Sequence, residues 1–160
     1  MEAAVITVST SLARGQGEDV SGPRLAELAA EAGAEVVATE VVDDDADAIA
    51  QRLRAHVEAG RAFVFTTGGT GLTSDDVTPE ATRAVVERDA PGFAEAMRAE
   101  SIRHTPHGIL TRGVSGVAGR TLIVNFPGNP KAIDQLFPIL APTLRHVANT
   151  LRREDGHPEH

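Results

Sequence analysis

Short apolar runs alternate along this chain with longer segments in which apolar residues recur every three or four positions. Residues 3–9, AAVITVS, are rich in β-branched side chains and end at a polar, glycine-containing stretch, which predicts a first strand. In SGPRLAELAAEAG, Ser21 can cap, Pro23 suits a first turn, Leu25, Leu28, Ala29 and Ala32 share one face, and Gly33 ends the helix. AEVVATEVV predicts the second strand. Asp43, Asp44 and Asp45 then open a helix with Ile49, Leu53 and Val57 on its buried stripe and Gly60 at its end. AFVFTT, apolar throughout before its threonines, has the pattern of a strand buried on both faces. Helices are expected over Thr78–Arg88 and Pro91–Arg103. GRTLIVNFPG reads as a fourth strand, paired with GILTRGVSGV as a small antiparallel ribbon. A last helical segment runs from Pro130 towards Arg152, with Pro138 and Pro142 placed to break or kink it.

Strands alternating with helices at this spacing imply an α/β domain with a mostly parallel central sheet. One domain is expected over residues 1–151, with no internal repeat and no linker, followed by a polar, disordered tail over residues 152–160. In such sheets ligands gather at the carboxyl ends of strands, near the point where strand order reverses. The predicted strands end in STSLARG, DDDAD, TTGGTG and NFPGNP, so that edge becomes the place to look for chemistry.

Composition narrows the chemistry. The 160 residues include no cysteine, which excludes disulfides, thiolate metal sites and cysteine nucleophiles. The net charge of −8 and an aromatic content of 3%, all phenylalanine, argue against nucleic-acid partners, which need clustered cations or stacking rings. Lys131 is the single lysine, so P-loop and Schiff-base schemes have almost no material. Apolar runs reach only about five residues and no basic-then-apolar leader opens the chain. Neither a membrane span nor a signal peptide is therefore expected, and a cytoplasmic location is.

The stretch Phe63–Thr82, FVFTTGGTGLTSDDVTPEAT, carries the strongest candidate site. Successive glycines permit positive φ and let backbone N–H groups converge without side chains in the way, and the hydroxyls of Thr66, Thr67 and Thr70 can add donors. Locally this is either a tight turn or an anion site beside a helix N-terminus. Asp75 and Asp76, like Asp43–Asp45, can cap helices. Equally, acids from two loops of one sheet edge beside a phosphate site are what an Mg²⁺ bridging polyphosphate oxygens requires. In NFPGNPKAI, Asn125 can bond backbone or ligand, Pro127-Gly128 enforce a turn, and Asn129-Pro130 cap and start a helix. His104 and His107 straddle Thr105-Pro106, which argues against a helical metal pair, and His56 falls near an apolar stripe as a structural residue.

TTGGTG followed by DDVTPEAT, PGFAEAMR, ILTRGV and LIVNFPGNPKAI resembles, in that order, the molybdenum-cofactor biosynthesis domain of the Mog/MoaB type, over nearly the whole chain. The resemblance implies a three-layer α/β/α sandwich with a mostly parallel sheet, assembled as a homotrimer or, in some short members, a hexamer. It implies Mg-ATP-dependent adenylylation of molybdopterin, giving adenylyl-molybdopterin and pyrophosphate, with the molybdenum-insertion enzyme of the same pathway as a partner. Carried over by motif, Thr67, Gly68, Gly69, Thr70, Gly71 and Ser74, with Asn125, Pro127, Gly128 and Asn129, would line the molybdopterin and ATP phosphate site. Asp76 and Asp44 would be the catalytic acids and Mg²⁺ ligands. Thr10, in VSTS, stands where many members have aspartate. The resemblance also admits a non-catalytic molybdopterin carrier, and a nucleotide hydrolase of the competence-damage-inducible type.

Overall fold

The computed structural model describes residues 1–153, so the expected polar tail lies, from residue 154 onward, outside the described residues. The elements in chain order are β1 (Glu2–Val8), α1 (Thr10–Ala13), α2 (Ser21–Glu31), β2 (Glu35–Val42), α3 (Ala46–Glu58), β3 (Phe63–Thr67) and α4 (Thr78–Val85). Then follow β4 (Arg88–Asp89), α5 (Pro91–His104), β5 (Ser115–Ala118), β6 (Thr121–Phe126), α6 (Pro130–Leu140) and α7 (Leu144–Leu151). The strands form one sheet in the order β2-β1-β3-β6-β5-β4. The first four are mutually parallel, while β5 runs antiparallel to β6 and β4 antiparallel to β5.

The period-2 alternation of the central strands divides the core in two. Ala3 and Val5, Phe63 and Phe65, and Leu122, Val124 and Phe126 face α2, α5, α6 and α7. Ala4, Ile6, Val8, Val64 and Ile123 face α3 and α4. Each central strand is thus covered on both faces, which is why its sequence is nearly all apolar. Phe65 meets the rings of Phe63, Phe126 and Phe137 at centroid distances of 5.5–5.9 Å. Burying one such ring contributes about 1.5–3 kcal/mol, so this cluster anchors the layer beneath the strand ends. The result is a three-layer α/β/α sandwich.

Four boundaries differ from the sequence expectation. A four-residue helix, α1, occupies the loop after β1, with the Ser9 side chain accepting from the Leu12 amide. The helix expected over Thr78–Arg88 ends at Val85, because Arg88 and Asp89 pair with Val117 and Gly116 as an edge strand. The expected ribbon is shorter and is continuous with the sheet. Ser115–Ala118 pair with β6, whereas residues 106–110 form a 3-10 turn. Pro138 stays inside α6, and the break comes at Ala141–Thr143, where Pro142 removes a donor.

Candidate active site

Strand order reverses between β1 and β3: the chain steps from β1 outward to β2, then returns to the other side of β1. The carboxyl ends of β1 and β3 flank a crevice of about 260 Å³, lined by Ser9, Asp19, Ser21, Thr67, Gly68, Gly128 and Pro130 among others. The N-terminal ends of α2 and α6 border it, so it combines backbone donors with positive helix ends. This is where a doubly wound sheet places a ligand.

The glycine loop is built by close backbone approach. Gly68 and Gly69 have φ of 97° and 69°. A Cβ on Gly68 would lie 2.5 Å from the Val8 carbonyl oxygen, and one on Gly69 would collide with the Thr78 hydroxyl. The Gly68 amide donates to the Phe126 carbonyl, the Thr78 amide to Gly69, and the Thr78 hydroxyl to Gly68. The amides of Gly69, Thr70 and Gly71 make no hydrogen bond among the described residues. Thr67 donates to the Pro127 carbonyl at 2.8 Å, which stitches the β3 and β6 turns together. Ser74 and Asp75 are exposed on the outer part of the loop.

The predicted acids sort into different roles. Asp45 caps α3 by accepting from the Ala48 amide at 2.9 Å. Asp44 Oδ2 accepts from the amide and hydroxyl of Thr10 at 2.9 and 2.8 Å, and the same hydroxyl reaches Asp43 at 2.5 Å. Thr10 thereby joins the β1 and β2 loops. Asp76 Oδ2 accepts from the amide and hydroxyl of Thr73 at 3.1 and 2.9 Å, turning back into its own loop. Oδ1 of Asp44 and of Asp76 has no hydrogen bond among the described residues. No hydrogen bond joins the two acids, and the described residues hold no cluster of three or more His, Asp or Glu placed for a metal.

Asn125 is 2% exposed and its amide is spent inside the protein. Oδ1 accepts from the Val114 amide, and Nδ2 donates to Thr66 and Thr82 at 3.0 Å each. It braces β3, α4 and the entry to β5. Asn129 caps α6 by accepting from the Lys131 amide at 2.9 Å. His56, buried, lies 2.7 Å from Glu40, and the doubly bonded Arg52 guanidinium, with His56, holds the Glu40 carboxyl below its usual range against the effect of burial. His104 pairs with Glu100 on α5.

Two features escaped the sequence reading. Asp19 lines the crevice, accepting from the Thr7 hydroxyl and, at the entry to α2, from the Gly22 amide. A Cβ at Gly22 would collide with Thr7 and Asp19. The glycine-proline pair after Ser21 was legible only as a helix start. The second feature is Arg112, whose guanidinium donates to the carbonyls of Gly71 and Asp76, both at 2.7 Å, and pairs with both Glu80 oxygens at 2.8 and 3.1 Å. That pairing holds the Glu80 carboxyl below its usual range. Farther along the same edge, a cavity of about 560 Å³ lies between α5 and the start of β5, walled by Pro91, Ala94, Ile102 and Val114 with Arg83 and Arg98 at its polar side.

The match to known proteins is extensive. Residues 4–146 match the family model described as a probable molybdopterin binding domain. The chain is 38% identical over 149 residues to the molybdenum cofactor synthesis protein cinnamon of Drosophila melanogaster, covering 92% of this chain and 25% of that one. It is 33% identical over 150 residues to the molybdopterin adenylyltransferase of Helicobacter pylori strain J99, covering 92% of this chain and 85% of the relative. The crystal structure of the molybdopterin biosynthesis enzyme MoaB from Thermus thermophilus superimposes with a TM-score of 0.87 at 40% identity, over 94% of this chain and 95% of that one. The family match over nearly the whole domain, with the glycine loop and its acids at the reversal of strand order, makes this chain a member of the molybdopterin-binding family of molybdenum cofactor biosynthesis proteins.

Proposed function

We propose that this protein adenylylates molybdopterin, using Mg-ATP and releasing pyrophosphate. The observation that carries the reading is the crevice at the β1/β3 reversal, where Gly68 of the glycine loop and Gly128 of the β6 turn meet two helix N-terminal ends, with the unbonded amides of Gly69, Thr70 and Gly71 next in the same loop. The terminal phosphate of molybdopterin attacks the α-phosphorus of ATP, the bond to the β-phosphate oxygen breaks, and pyrophosphate leaves. No protein nucleophile is needed, so the protein acts by positioning and by placing donors where charge develops. Gly69, Thr70 and Gly71 supply amides to phosphate oxygens. Thr67, Asn125 and Pro127 keep the two turns at a fixed separation, and Gly128 leaves the crevice open.

Asp44 and Asp76 are the residues that would hold Mg²⁺. Each keeps an oxygen free of protein partners, and Mg²⁺ takes one or two carboxylates together with water and phosphate oxygens, so no three-acid cluster is required. When bound, the ion neutralises charge on the polyphosphate. The cavity along α5, within the size range of small-molecule pockets and walled by apolar side chains, is where the fused ring system would rest. The assembly is a homotrimer, to be measured as mass in solution, with a hexamer as the other outcome. The reaction is assigned to the cytoplasm; among the described residues no helix is long and apolar enough to cross a membrane.

The test is to incubate the protein with Mg-ATP and molybdopterin and follow adenylyl-molybdopterin and pyrophosphate. Both products are expected. Tight molybdopterin binding without either product would replace the enzyme with a carrier.

A further inference from the structure

We propose that Arg112 is a positioning residue for adenylyl transfer, a clasp that fixes the shape of the glycine loop and the height of Asp76 within it. The role rests on the reading of this edge as the phosphate site. The segment from Gly71 to Asp76 is half-exposed or exposed throughout. Its internal hydrogen bonds are few: Asp76 amide to Thr73 carbonyl, and Thr73 amide and hydroxyl to the Asp76 side chain. Those bonds close a small ring but do not attach it to the domain.

Attachment comes from outside. The Arg112 amide donates to the Thr70 carbonyl at 2.8 Å, and its guanidinium reaches carbonyls at both ends of the loop, Gly71 and Asp76. Nη1, with Nη2 shared between the Asp76 carbonyl and the carboxylate, grips Glu80 in the first turn of α4. One planar group thus connects the loop's beginning, its end and the helix behind it. The next residues, Gly113 and Val114, pack and bond against buried Asn125, so the clasp is rooted in β6. The geometry needs a fork: a lysine ammonium is a point charge and cannot serve two carbonyls and both oxygens of a carboxylate from one place.

Three variants test this. Arg112→Lys preserves charge and stem, Glu80→Gln removes the anchor, and Arg112→Ala removes the clasp. Amide hydrogen exchange of the ligand-free protein, read at peptides covering residues 70–78, is expected to quicken about tenfold or more in both Arg112 variants and less in Glu80→Gln, while peptides of β3 and β6 keep their protection. With Mg-ATP and molybdopterin, kcat/KM is expected to fall at least about tenfold in Arg112→Lys. Adding that change to Asp76→Ala is expected to cost less than it costs in the wild-type background, because part of its effect runs through the placement of that carboxylate. Unchanged loop exchange in the Arg112 variants, or a loosened loop with wild-type kcat/KM, overturns the proposal. If the wild-type protein forms no adenylylated product, the functional reading fails, and the exchange measurement alone then decides the clasp.

Discussion

After β3 the chain takes ten residues, Gly68–Val77, to reach α4, whereas after β6 it takes three, Pro127–Asn129, to reach α6. Both connections carry glycine at the same sheet edge and touch each other. In the longer one, Gly68 and Gly69 have positive φ and are wedged against Val8 and Thr78. In the shorter one, Gly128 is not in the left-handed region, and an added Cβ would meet only Gly68, its Cα at 3.2 Å. The first pair of glycines is there for backbone conformation, the second site for space. The short turn is held by the neighbouring Thr67 hydroxyl at Pro127 and by the Asn129 cap before Pro130, while the Gly71–Asp76 part of the long loop is held by the distant side chain of Arg112.

The contrast meets its most severe test at Asp76. Asp76→Ala is expected to lower turnover about a hundredfold or more, the scale of losing one group that stabilises transition-state charge, with circular dichroism and unfolding midpoint close to wild type; an unimpaired rate would remove it from the site. Next come the glycines. Gly68→Ala forces a non-glycine residue to φ 97° against a carbonyl and is expected to cost about 1–3 kcal/mol or more in urea unfolding. Gly128→Ala keeps an ordinary φ but crowds the Gly68 Cα at 3.2 Å, and is expected to cost less than Gly68→Ala. Equal costs would refute the distinction. Asn129→Ala, which removes the α6 cap, is expected to cost about 1 kcal/mol and to leave exchange in the longer loop unchanged.

A weaker effect is expected in pH. Arg112 lowers the Glu80 carboxyl below its unfolded value, so the pair's contribution is present above the unfolded pKa of about 4.3 and is lost as pH falls through the depressed folded value. Glu80 is half-exposed, so the contribution is screened and modest. The stability difference between wild type and Glu80→Gln should therefore be measurable at pH 7 and shrink progressively as the pH falls below the unfolded value of about 4.3. A difference that persists in acid would mean that the carboxylate charge is not what holds the clasp.

Much of the layer order could be read from periodicity because central parallel strands must be apolar on both faces, as AAVIT, FVF and LIV are. What periodicity missed were features decided by pairing between distant segments. Arg88 reads as the end of a helix, and Arg88–Asp89 become a strand only because β5 offers an edge. Residues 106–110 carry strand-like Ile and Leu but follow Thr105 into a proline-led 3-10 turn. The site was legible to the same depth. The glycine loop and the Asn129 cap follow from local chemistry, since positive φ and a helix start are properties of a few consecutive residues. Asn125 shows the limit: its amide could have faced a ligand, and only the fold placed Thr66, Thr82 and Val114 around it.

Order along the chain was enough for the α/β alternation, for the carboxyl edge as the place to look for a site, and, through its motifs, for the molybdopterin-binding family. Packing in three dimensions settled which of the acids are occupied as caps or ties, that Thr10 bridges two loops, and that Arg112 holds the glycine loop from across the edge. The reason is range. Conformational preference and hydrophobic period act over a few residues and leave their mark in consecutive positions. A hydrogen bond between Thr10 and Asp44, or between Arg112 and Asp76, exists only once the strands between them have packed.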